Sequence, residues 1–137
     1  MSAIRSFDEL LRAAREQPQP QRLLFVFAAA GVSADATPEQ RERFAAGEGG
    51  ELTPLMCVDK SPEEIADFAA LVEESRQFGQ DWAIVFVAGL AGSGGRAPTS
   101  AEAEAPLRRM VDAIKNGAPG SLLPFDREGR PLELGQP

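Results

Sequence analysis

The residues best suited to hold an anion are Gly89-Leu90-Ala91-Gly92-Ser93-Gly94-Gly95-Arg96. Glycine amides can be exposed to a phosphate without side-chain obstruction, and Gly92, Ser93, Gly94 and Gly95 lead directly to Arg96, the one cation of the segment. The spacing fits neither GxxxxGK[ST] nor GxGxxG, so a mobile connector is the competing and preferred reading. Asp59 and Lys60 follow an apolar run. If the strands are parallel, they reach the same sheet edge as the Gly-rich segment, where Lys60 would meet an anion or serve as a nucleophile with a lowered pKa. A solvated turn accounts for both residues without a ligand.

Other chemistry is ruled out by composition. There is no His, which removes Ser-His-Asp triads, Cys-His pairs and His-ligated zinc. One Cys forms neither an internal disulfide nor a redox pair, and its position between Met56 and Val58 predicts a buried structural thiol. Asp35, Asp126 and the acids of the third helix match no calcium or magnesium loop, so no catalytic residue, metal or cofactor is assigned. Lys plus Arg total 14 against 21 Asp plus Glu, a net charge of −7, which disfavours nucleic acid as a partner. The apolar run at Leu23–Gly31 is shorter than the roughly 20 residues of a membrane helix, and the N-terminus lacks the pattern of a signal peptide. A cytoplasmic, acidic, single-domain protein of 137 residues is expected.

Four helix starts carry the Ser/Thr-x-x-Glu/Gln capping box: Ser6 with Glu9, Thr37 with Gln40, Ser61 with Glu64, and Thr99 with Glu102. The first helix has Phe7, Leu10, Leu11 and Ala14 on one face and ends before Pro18. The second ends at Gly47 and reads as a surface element. The third begins at Ser61, with Ile65, Phe68, Ala69 and Val72 as its apolar face. The fourth either kinks or begins at Pro106 and continues through Leu107, Met110, Val111 and Ile114. Between them, Leu23–Ala30, Leu52–Val58 and Trp82–Leu90 read as strands, with Pro54 favouring a sheet edge for the second. Leu23–Ala30 and Trp82–Leu90 are apolar on both faces and so are expected to be neighbouring or near-neighbouring central strands. Leu122–Phe125 and Pro131–Leu134 suggest a terminal hairpin. The expected fold is an α/β single-domain layered structure in the order αβαβαβαββ, with a largely parallel or mixed sheet and helices on both faces.

The segments LLFVF from position 23, LTPLMCVDKSPEEIADFAALVEESRQFGQDWAIVFVAGL and PFDREGRPLEL resemble a family of small uncharacterised proteobacterial proteins. Members are often labelled ribonucleotide reductase subunit alpha. That chemistry needs a radical cysteine and a further redox pair, whereas this chain offers only Cys57. The resemblance therefore implies an accessory role near nucleotide metabolism. Two readings follow: a non-catalytic interaction module binding another protein or a second copy of itself, or a small-molecule or phosphate binder using Gly92–Arg96 with Asp59 and Lys60.

Overall fold

The computed structural model describes residues 5–31, 35–45, 51–79, 81–117 and 122–132. The elements are α1 (Phe7–Arg15), β1 (Gln21–Gly31), α2 (Pro38–Ala45), β2 (Glu51–Lys60), a 3-10 turn (Pro62–Glu64), α3 (Phe68–Arg76), β3 (Ile84–Ala91), α4 (Ser100–Lys115) and β4 (Leu123–Phe125). The sheet order is β2-β1-β3-β4, and every neighbouring pair is antiparallel. This corrects the expectation of a largely parallel or mixed sheet. Apolar runs on both strand faces report that helices cover the sheet twice, but carry no information about strand direction. β2 and β3 do run the same way, with β1 inserted between them in the opposite sense.

β1 and β3 are the central pair, as their two-faced apolar character predicts, and β2 is an edge. Alternate residues of β1 feed two cores. Leu23, Phe25 and Phe27 pack with Phe7, Leu10 and Leu11 of α1 and Phe68 and Leu71 of α3, while Leu24, Val26 and Ala28 pack with Ala103, Leu107, Met110 and Ile114 of α4. Helices thus lie on both faces. Trp82 closes the first core, its indole edge-on to Phe27, and its Nε1 donates to the buried Ser75 hydroxyl at 2.9 Å.

Two helix starts and the terminal hairpin differ from expectation. The Ser61–Glu64 box caps only the 3-10 turn, because the chain extends at Ile65; α3 starts at Phe68, capped by the Asp67 side chain accepting from the Ala70 amide. Its buried face is Phe68, Leu71 and Ser75, and Ala69 is exposed. α4 starts at Ser100 and runs on through Pro106, held by the Thr99–Glu102 box. The expected ninth element is reduced to a bridge between Phe125 and Pro131, with the Leu132 amide donating to the Pro124 carbonyl; residues 133 and 134 lie outside the described residues. Described residues 38–43 of α2 are exposed, consistent with a surface element.

Cys57 is exposed, which corrects the buried reading. Its neighbours Met56 and Val58 pack on the first core, so alternation sends Cys57 to the other face of an edge strand. Native protein is accordingly expected to react with a thiol reagent at nearly the rate of unfolded protein. Strong protection before denaturation would contradict this exposure.

The turn after β4 ties the elements together. The Asp126 carboxylate accepts from the amides of Glu128 and Arg130 and from the Arg130 guanidinium, while the Gly129 carbonyl accepts from the Phe7 amide at 2.8 Å. Burial alone would raise the Asp126 carboxyl, but these donors outweigh it and hold the group below its ordinary 3.8. A depressed carboxyl contributes stability above its unfolded-state pKa, and that contribution is lost as pH falls through the lower folded value. Asp126→Asn should therefore give a shallower acid limb in thermal midpoint against pH; an unchanged limb would show that this turn does not govern acid unfolding.

Candidate functional site

The Gly-rich segment forms a tight hairpin turn rather than a slack connector. Gly94 and Gly95 have φ of 59° and 78°, the two positive values that a two-residue turn of type I′ requires, and Ser93 bridges Arg96. Its amides are already engaged. Gly92 donates to the Pro20 carbonyl at 2.9 Å, Ser93 and Arg96 exchange bonds of 3.1 and 3.0 Å, and Gly95 donates to the Gln19 side-chain oxygen at 2.9 Å. An anion cradle needs convergent free amides, and here four of them point to protein acceptors.

Arg96 is exposed and lines a groove of about 300 Å³ with Gly92, Ser93, Pro98 and Glu102. The Glu102 carboxyl is held below its ordinary range by the Thr99 amide and hydroxyl, with Arg96 adding to the effect. An anion beside Arg96 would thus share the groove with a carboxylate. Arg96→Ala is expected to change stability by no more than about 0.5 kcal/mol in chemical denaturation, because the side chain is exposed and makes no hydrogen bond or ion pair with another described residue. A loss above about 1 kcal/mol would mean that the guanidinium holds the turn.

Asp59 and Lys60 do reach the same end of the sheet as this turn, because β2 and β3 share a direction. The register runs Lys60 to Leu23 to Gly89, so two strand spacings, roughly 10 Å, separate them. Both side chains are committed elsewhere: Asp59 accepts from the largely buried Arg22 guanidinium, and Lys60 donates to Glu74 at 2.9 Å. The expected residues therefore fall into three separate interactions around one sheet end.

The backbone pattern locates a different surface. The Pro20 carbonyl accepts from Gly92 and the Ala28 carbonyl from Ala83, so even-numbered residues of β1 face β3. It follows by alternation that Val85, Val87, Gly89 and Ala91 turn their amides and carbonyls away from β1. β4 pairs with β3 only at Val85–Val87. Among the described residues, nothing pairs with the outward groups of Gly89 and Ala91. Beside this end of β3 lies a groove of about 180 Å³ lined by Leu10, Ala13, Ala14, Leu23, Val87 and Leu123, with Gln17 and Gln21 as its polar members. Leu123 is 45% exposed there.

The other edges are blunted. Pro54 partners Ala28, whose backbone faces β3, so the nitrogen of Pro54, which has no hydrogen, faces outward from β2, next to an irregularity that leaves Leu55 without a partner. β4 carries Pro124, whose outward carbonyl accepts from Leu132. The groove has only a weak signature in the sequence, a strand end of small residues, Ala88-Gly89 and Ala91, with the small Ala13 and Ala14 on α1. No family model, curated protein or solved structure matches the chain.

Proposed function

We propose that this protein is a non-catalytic interaction module that accepts an extended segment of a partner protein as an added strand beside β3. The observation that carries the reading is the apolar groove under α1, which runs beside the end of β3 where Gly89 and Ala91 have no strand partner among the described residues. An added strand would gain main-chain hydrogen bonds from the edge and place alternate side chains in the groove, which gives affinity and selectivity respectively. The commitment of the Gly92–Arg96 amides, Asp59 and Lys60 to internal bonds favours this reading over an anion site.

Titration with a short, end-capped peptide alternating valine and threonine tests it. The amide resonances of Gly89 and Ala91 are expected to shift, and Ala13→Arg, which fills the groove, should abolish the effect without unfolding the protein. If Gly89 and Ala91 stay unmoved while inorganic phosphate shifts Gly92–Arg96, the anion-binder reading replaces this one.

A further inference from the structure

The C-terminal end of α4 joins a reactive dipeptide to a buried anchor. Asn116 is the one Asn of the sequence, Gly117 follows it, and no Asp precedes a Gly, so a short side-chain carbonyl stands next to an unhindered glycine nitrogen at this bond alone. Asn116 caps the helix with φ −86° and ψ 2°, and Gly117 leaves it with φ 71°. Both residues are exposed. A carbon built on Gly117 would meet nothing within 4 Å, and the Asn116 side chain forms no hydrogen bond with another described residue, so neither packing nor a partner shields the side-chain amide. What holds the two groups apart is the helix end itself. The Asn116 amide donates to the Asp112 carbonyl at 3.0 Å, and the Gly117 amide donates to the Ile114 carbonyl at 3.1 Å.

We propose that Asn116 and Gly117 form a self-modification site, at which the chain loses ammonia and acquires a carboxylate that loosens the last turn of α4. The Gly117 nitrogen attacks Cγ of Asn116; the new N–Cγ bond closes a five-membered imide, the Cγ–Nδ2 bond breaks, and Nδ2 departs as ammonia carrying the proton of the Gly117 amide. Water then opens the ring. Hydrolysis of the N–Cγ bond leaves an aspartyl residue, whereas hydrolysis between the Gly117 nitrogen and the backbone carbonyl carbon leaves an isoaspartyl link that routes the main chain through Cβ and Cγ. Water is the sole co-reactant, and no redox change occurs.

Either product places a negative charge at the carbonyl end of the α4 dipole, four residues after the exposed Asp112, and both interactions are repulsive. Lys115 is adjacent, but neighbouring residues on a helix do not face each other. Ile114, only 2% exposed, fastens this turn to the core that holds Leu24, Val26 and Met110, so fraying here weakens the grip of α4 on the sheet.

The full chain, folded in one sample and denatured in another, is held in neutral buffer made with heavy-oxygen water. Mass spectrometry follows the peptide carrying residue 116, and an isoaspartyl methyltransferase reports the isomerised link. Folded protein is expected to convert at Asn116 to both products about fivefold more slowly than denatured protein, the factor set by opening one backbone hydrogen bond. Asn116→Gln should end the conversion, because the longer side chain must close a six-membered ring. Asn116→Asp, which carries the charge from the start, should melt about 2 °C below Asn116→Gln. Complete conversion of the denatured chain while the folded chain stays intact would show that the cap shields the bond and overturn the proposal, as would heavy oxygen entering the folded chain only at other residues. Equal midpoints for the two variants would overturn the loosening of α4.

Discussion

Replacing Phe7 by Ala should lower stability by about 3–5 kcal/mol, the largest loss expected from any single side-chain truncation here. The ring is fully buried, with centroids 6.0, 5.1 and 5.6 Å from those of Phe25, Phe68 and Phe125, so it touches β1, α3 and β4 at once. Tilted and edge-on contacts of this kind add to the area term, and a cavity at the junction of three elements cannot collapse by moving one of them. Denaturant unfolding monitored by Trp82 fluorescence measures the effect, since the indole belongs to the same core. Phe78→Ala is the internal control: that ring is 56% exposed, and its loss should cost no more than about 0.5 kcal/mol. Similar losses for the two variants would refute the assigned core. Phe68→Ala alone should fall in the same range as Phe7→Ala, but the pair should not be additive, because the two rings share a contact.

Gly92→Ala is the second large effect, and it arises from backbone rather than burial. A Cβ at this position would sit 1.9 Å from the Arg96 carbonyl oxygen and 3.0 Å from that of Pro20. Neither obstacle is a side chain that could rotate aside. Relief requires opening the Ser93–Arg96 turn or breaking the Gly92 to Pro20 bond that continues the β1–β3 ladder. A loss of about 3 kcal/mol is expected, at the upper end for overpacking. Gly94→Ala separates this from conformational strain: its φ is 59° but nothing lies within 4 Å of the added carbon, so about 1 kcal/mol should be lost. If Gly94→Ala proves the more damaging of the two, the turn is governed by dihedral strain and not by the close approach at Gly92.

The sheet edges divide what composition predicts from what geometry adds. Pro54 predicts an edge because proline cannot donate to a ladder, and β2 is an edge with that nitrogen turned outward. Cys57, three residues later in the same apolar run, is exposed although its flanking residues predict burial. In a central strand a thiol between Met56 and Val58 is buried, but on an edge strand one face has only partial cover. The inference from Pro54 to an edge thus already contained the reason to expect Cys57 at the surface. Similarly, Ser6-x-x-Glu9 has the same sequence pattern as the other boxes, yet among the described residues only its hydroxyl half forms, the Ser6 side chain accepting from the Glu9 amide.

The helix starts at Ser6 and Thr37, the three long strands, the central place of β1 and β3 and the two apolar faces of the sheet follow from residue types and spacing alone. These are local or periodic properties: a capping hydroxyl acts within one turn, and side-chain alternation is fixed by the pleat. Only the folded chain sets strand direction, the direct pairing of β1 with β3, the later start of α3 at Phe68, the continuity of α4 from Ser100 through Pro106, and the internal use of amides in the Gly92–Arg96 turn. Each of these depends on which backbone groups find partners far along the chain. Hydrogen bonding between strands is indifferent to side-chain identity, so no residue pattern within a single strand encodes its neighbour's direction or the point at which that neighbour ends.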